Sequence, residues 1–293
     1  MRRQPFIWAT LSFFMRLCNK LSHDHALKLG DFMGQMVKKF SPHRTTKARA
    51  RCSRMLGVKG PEAGRIISQV YSHFGRALVE FIRLPKMCGR LDEIVTVKGE
   101  ENLKYALSLG RGVIILSAHI GCWEYAAALV AKHGIPINVI GADQRDDRIT
   151  NTIASLREQA GVKPIGKGID LRGAVNCLRK GEVLAVLLDQ DARDAGVISP
   201  FLGSPASTPV GPIKLAQKFG SPVVPVHIVR EPDGIHMIMT VEPPLEGRCG
   251  RPFGEDIQHA VDSCNEVISR WIRETPGQWL WLYPRWASTL NDL

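Results

Sequence analysis

The chain has 293 residues, 44% of them hydrophobic and 23% charged, which is long enough for one large domain or two small ones and excludes a disordered or fibrous chain. No apolar run approaches the ~20 residues that a spanning helix needs, so a multi-span membrane protein is excluded too. The formal net charge is +11, which favours an anionic partner: nucleic acid, an acidic protein or an anionic membrane.

That charge is concentrated at one end. Residues 1–60 hold thirteen Lys and Arg against only Asp24 and Asp31, and the remainder is balanced. Within the basic segment, Pro5 to Phe14 is apolar and aromatic, with Arg2 and Arg3 before it and Arg16 and Lys20 after it. It begins like a signal peptide, but no small-residue cleavage site follows. Such a run reads either as an amphipathic helix lying in a membrane interface or as a helix docked on its own domain. The basic residues interleave with Leu, Phe, Met and Val at helical spacing, which suits a membrane surface better than a nucleic-acid tail. Residues 1–45 are therefore expected to be a basic, amphipathic, membrane-anchoring segment, and residues 46–293 the main domain.

Further along, Ile66, Ile67, Val70, Phe74, Leu78, Phe81 and Ile82 form a helical stripe over 61–83. A short strand at Ile94–Val97 and a helix at Gly99–Leu109 precede the most apolar run, the strand Gly112–Ser117. Helix Trp123–Lys132, strand Ile135–Ile140, helices Arg148–Ala160 and Leu171–Arg179, and strand Glu182–Leu188 follow. Helix Val210–Phe219 leads to strand Val223–Val229, which pairs with Ile235–Val241 across the turn Glu231–Gly234, and Ile257–Arg273 is a last helix. This alternation predicts a single mixed-sheet α/β domain with helices on both faces.

Most chemical signatures are absent. The seven cysteines are scattered, odd in number and without C-x-x-C, which argues for reduced thiols rather than a disulfide framework or a cysteine zinc site. There is no G-x-S-x-G elbow and no G-x-G-x-x-G after a strand. Gly161–Gly168 approaches a phosphate loop but ends in glycine where a magnesium-binding Ser or Thr belongs, and Pro164 removes a backbone N–H. His23 and His25 read as a metal pair or as a polar helix face.

The informative segment is Leu116–Tyr125, which follows the buried strand and opens a helix. In α/β sheets ligands bind at this carboxyl-end turn. A Glu124 carboxylate accepting from one imidazole nitrogen of His119 would leave the other nitrogen basic and free for substrate. A structural histidine at a strand end fits the same pattern. Gly121 permits close backbone approach of a ligand. Asp189, Gln190 and Asp191 end another buried strand and therefore reach the same sheet edge, as substrate-positioning or loop-capping groups. Cys122 is not needed as a nucleophile beside a histidine–carboxylate pair.

His119–Glu124 resembles the His-x4-Asp/Glu motif of glycerolipid-type acyltransferases. More closely, the chain resembles the bacterial lipid A biosynthesis (late, or secondary) acyltransferases, the lauroyl and myristoyl enzymes. Ordered blocks carry this from about residue 40 onward: Leu156 and Arg157 with Gly161; Gly181, Glu182 and Val183 running to Asp191; Gly196 to Gly203; Thr208 to Pro212; and a tail of Pro276, Gln278, Trp279, Trp281, Arg285 and Trp286. The chain departs from the family at Cys122, usually Asn; at Leu202, usually Phe; and at Gly141–Arg145, where the family has Ala-Arg-Pro and only Arg145 supplies a cation.

The resemblance implies transfer of a fatty acyl group from an acyl carrier protein or CoA thioester to a hydroxyl of a lipid A precursor, at the cytoplasmic face of the inner membrane. His119 would be general base and Glu124 its orienting partner, with no metal or bound cofactor. Substrate would meet Gly121, Trp123, Arg145, Arg157, Asp189, Gln190, Asp191, Phe201, Gly203 and Thr208, although Phe201 equally suits core packing. The tail tryptophans read as packing. Acyl carrier protein, a glycolipid and an anionic membrane are the expected partners, and nucleic acid is not. The alternatives are acylation of another glycolipid or a lysophospholipid, and a non-catalytic membrane lipid-binding protein.

Overall fold

Val113–Ser117 is a strand buried at every position, and the chain is organised around it. The computed structural model describes residues 5–141, 144, 146–165, 171–250 and 252–290. Helices α1 (Pro5–Lys20), α2 (His23–Phe40), α3 (Pro42–Leu56) and α4 (Gly60–Ile82) come first. Then follow α5 (Leu84–Met87), α6 (Leu91–Ile94), β1 (Val95–Lys98), α7 (Glu100–Ser108), β2 (Val113–Ser117), α8 (Trp123–Lys132), β3 (Ile137–Ile140), α9 (Asp147–Gln159) and β4 (Lys163–Ile165). The chain continues through α10 (Leu171–Arg179), β5 (Val183–Leu187), β6 (Gly196–Phe201), β7 (Ser204–Pro209), α11 (Gly211–Phe219), β8 (Val223–Arg230), β9 (Met237–Val241) and α12 (Ile257–Glu274).

Seven strands form one sheet in the order β1-β9-β8-β2-β5-β3-β4, and β6 with β7 makes a separate hairpin. The run from β8 to β4 is parallel, and β9 turns back antiparallel to β8 with β1 parallel to it. This is a mixed α/β sheet, as the alternation of elements predicts. The elements expected from residue 61 onward lie within a residue or two of those observed, whereas α3, the short α5 and α6, β4 and the β6–β7 hairpin were not expected. Pro200, Pro205 and Pro209 in that hairpin weaken a strand signal.

Period-two alternation divides the core in two. Ile114, Leu116, Leu184 and Val186 face a core completed by α3, α4, α12 and the C-terminal tryptophans. Val113, Ile115 and Val183 face a second core built with α8 and β9.

The N-terminal helices are joined to this body by glycine. A Cβ on Gly34 would stand 2.0 Å from the Tyr71 carbonyl oxygen, and one on Gly75 2.0 Å from that of Gly30, so α2 and α4 meet backbone to backbone. The division expected at residue 45 falls inside α3, whose Ala48, Cys52 and Met55 belong to the first core. Among the described residues no helix is long and apolar enough to cross a membrane.

Candidate active site

The register of two parallel strands builds the site. Ser117 of β2 pairs with Leu187 of β5, and the Leu188 N–H donates to the Ser117 carbonyl at 3.1 Å. Two residues beyond that last pair on each strand stand His119 and Asp189. The Asp189 carboxylate, 2% exposed, accepts the His119 backbone N–H on Oδ2 and pairs through Oδ1 with imidazole Nδ1, both at 2.8 Å. The indole N–H of Trp279 also donates to Oδ2, at 2.8 Å.

Burial works against ionising Asp189, but the charge of His119 and these hydrogen bonds outweigh it and hold the carboxyl below its ordinary range. Burial likewise pushes His119 down, while the charge and hydrogen bond of Asp189 and the charge of Glu124 raise it further, so its pKa ends above the usual histidine value. With Nδ1–H on Asp189, Nε2 keeps its lone pair, and the Gln190 side-chain amide stands 3.5 Å from it. The ring meets Trp123 edge-on, with centroids 5.1 Å apart.

The expected pairing of His119 with Glu124 is therefore corrected. Glu124 lies in the first turn of α8, turned toward α9, and takes a two-point ion pair from Arg157: Nε to Oε2 at 3.0 Å and Nη2 to Oε1 at 2.6 Å. The Trp123 indole N–H adds a third bond at 3.2 Å. A forked guanidinium satisfies both carboxylate oxygens better than one imidazole N–H can, and Asp189, one strand away in register, is already on the imidazole.

Beside this pair, an apolar slot runs between α8 and the sheet, with about 520 Å³ of non-atom space when its open mouth is counted. Its polar lining is confined to Ser117, Trp123, Glu124 and Arg157. Small side chains make the room: Ala126 and Ala127 from α8 and Ala185 from β5.

Of the other expected site residues, Trp123 and Arg157 line the slot and Gln190 reaches the imidazole. Arg145 lies outside the described residues. Gly121 has φ +59, and a Cβ there would come 1.5 Å from the Ile228 carbonyl oxygen, so β8 rather than a ligand requires the glycine. Asp191 caps its own loop, accepting from Ser288 Oγ at 2.6 Å and from the Ser288 and Arg193 N–H groups. Phe201 and Thr208 are fully buried in the first core, engaged by Trp279, Trp286 and Arg285, and Gly203 holds the β6–β7 turn at φ +82. None of these four lines the slot.

Cys122 is buried, and desolvation with nearby Glu80 pushes its thiol far above the reactive range, so no thiolate nucleophile is available there. The His25 ring is tied to Ser22 Oγ at 2.7 Å, and among the described residues no cluster of three or more His, Cys, Asp or Glu could hold a metal. The last positions of the phosphate-loop-like stretch, 166–168, fall outside the described residues. Sequence reasoning missed Trp279, which reaches the site from 90 residues beyond Asp189.

A histidine braced by a buried aspartate, at the carboxyl edge of a parallel sheet and beside a hydrocarbon slot, is equipped to move a proton on a substrate with an apolar tail. Residues 2–288 match the family described as bacterial lipid A biosynthesis acyltransferase, and the chain belongs to that family. It is an acyltransferase of the lipid A and glycolipid type.

A phosphatidylinositol mannoside acyltransferase of Mycobacterium tuberculosis (strain CDC 1551 / Oshkosh) is 28% identical over 83% of this chain and 78% of that protein. The lipid A biosynthesis palmitoleoyltransferase of Escherichia coli (strain K12) is 25% identical over 89% of this chain and 84% of that protein. Among solved structures, the 1-acyl-sn-glycerophosphate acyltransferase of Thermotoga maritima aligns with a TM-score of 0.40 at 16% identity, over 83% of this chain and 98% of that one.

Proposed function

We propose that this protein moves a fatty acyl group from an acyl carrier protein or CoA thioester to a hydroxyl of a lipid A precursor or related glycolipid. The observation that carries the mechanism is the His119–Asp189 pair, because an alcohol near neutral pH needs a positioned base to attack a thioester. His119 Nε2 takes the hydroxyl proton as that oxygen attacks the thioester carbonyl carbon. Asp189 fixes the tautomer and stabilises the imidazolium. When the carbon–sulfur bond breaks, His119 returns the proton to the departing thiolate. Arg157, held by Glu124, supplies positive charge toward the carbonyl oxygen as it becomes anionic. The acyl chain lies in the slot between α8 and the sheet.

The same reading places the enzyme on the cytoplasmic face of the inner membrane. Phe13 of α1 and Phe32 and Phe40 of α2 are 69%, 58% and 78% exposed, and α2 also carries Lys28, Lys38 and Lys39. Exposed aromatic residues together with lysines suit an anionic bilayer surface, where each basic residue contributes about 1 kcal/mol. Arg148 of α9 stacks over Trp8 of α1 at 5.3 Å, which brings this surface close to the helix that carries Arg157.

The test incubates purified full-length protein with acyl carrier protein or CoA thioesters and a lipid A precursor, a mannosylated phosphoinositide or a lysophospholipid, and reads product mass. An added acyl mass that is lost in His119→Ala is expected. No added mass on any acceptor contradicts the reading and leaves a lipid-binding protein.

A further inference from the structure

The tail after α12 runs against the catalytic turn. The Gly121 N–H donates to the Gln278 carbonyl and the Leu280 N–H to the His119 carbonyl, both at 3.1 Å, with Ile120 bridged antiparallel to Trp279. The Gln278 side chain grips the end of β8, accepting the Arg230 N–H and donating to its carbonyl, each at 2.8 Å. Residues 278–280 thus bind the backbone on both sides of Ile120 while the Trp279 side chain reaches under the turn to Asp189. Its ring is fixed there by Phe201, Trp281 and Trp286, at centroid distances of 5.7, 4.7 and 6.2 Å.

Asp189 Oδ2 consequently has two fixed donors, the His119 N–H and the Trp279 indole, which leaves Oδ1 to the imidazole. A carboxylate held this way cannot rotate about its terminal bond without breaking a buried hydrogen bond. The indole N–H also withdraws electron density from the carboxylate that pulls on the imidazole proton.

We propose that Trp279 is a positioning residue of the site: by holding Asp189 Oδ2 it moderates how strongly that carboxylate retains the imidazole proton. The inference rests on His119 acting as the base in acyl transfer.

The charged groups around His119 are Asp189 beyond β5, Glu124 on α8 and Arg157 on α9. From the tail, buried Arg285 interacts electrostatically with Asp189 and Asp191 while its side chain donates to the Ser207 carbonyl and Thr208 Oγ1. Trp279→Phe removes the indole donor on Asp189, keeps an aromatic ring and leaves every one of these charged groups in the chain.

The experiment is an NMR titration of the histidine rings in the full-length protein, with the His119 signal among the nine histidines identified by its absence in His119→Gln. In Trp279→Phe the His119 titration is expected to move up by about half a pKa unit or more. Trp271→Phe serves as the packing control: it removes another indole of the same core, one that donates to Glu242 Oε1 at 2.6 Å and stacks on His227, and leaves the His119 titration in place. If Trp279→Phe does not fold, site-specific benzothienylalanine keeps the two-ring shape without the N–H. A folded variant that titrates like the parent, or lower, overturns the proposal. This readout needs no turnover. Failure of the reading of His119 as the base would appear separately, as a His119→Gln variant that still transfers acyl groups at the parent's rate.

Discussion

The two faces of the central sheet are built from the same strands and do different work. On one face, Ile114, Leu116, Leu184 and Val186 meet Trp271, Trp279, Trp281 and Phe201 in a filled core. On the other, Ile115, Ser117, Ala185 and Leu187 meet Ala126 and Ala127 of α8 across an open slot. Neighbouring residues of one strand thus serve different ends, since successive side chains point to opposite sides. Large side chains on the first face make a rigid floor, and alanines on the second leave the room. His119 and Asp189 stand just past the ends of these strands, where the Trp279 indole from the filled face reaches Asp189 and the Trp123 ring beside the slot meets the imidazole.

Substitutions on the two faces should separate cleanly. His119→Ala is expected to lower turnover at least about a thousandfold without unfolding the protein, measured as product mass against a thermal melt. Leu116→Ala, on the filled face, should cost about 2–5 kcal/mol in denaturant unfolding and leave the length of the transferred chain unchanged.

Asp189→Asn removes the charge that holds the His119 pKa above its ordinary value. Because the base works unprotonated, the parent loses activity as pH falls through that raised pKa. The variant's acid limb should move to lower pH by about one unit, on a reduced plateau, in a kcat–pH profile. Phe32→Ser combined with Phe40→Ser should weaken binding to anionic vesicles by about tenfold or more, as read by co-sedimentation, with the melt unchanged.

Much of this arrangement was legible in the sequence because it is local. The buried run ending at Ser117 and the turn that follows located His119, and the polar triplet 189–191 marked the same sheet edge. The partner of His119 was not legible. Choosing Asp189 over Glu124 needs the register between β2 and β5, set by pairing across 70 residues, whereas sequence spacing favoured the nearer carboxylate. The demand of Arg157 on Glu124 likewise depends on how α9 lies against α8. Trp279 looked like packing because its ring does pack, and only its indole N–H reveals a second role. The backbone contact of Gly30 and Gly34 with Gly75 and Tyr71 went unread, because it depends on how α2 lies against α4.

The most direct test of the account offers the enzyme an equimolar mixture of acyl carrier protein thioesters of different chain lengths and weighs the products. Ala127→Leu projects hydrocarbon into the slot and should shift the products toward shorter chains, by about tenfold against the parent's preferred length, while the protein still turns over. An unchanged product distribution in an active, folded Ala127→Leu variant would contradict the claim that the hollow face of the sheet holds the acyl chain.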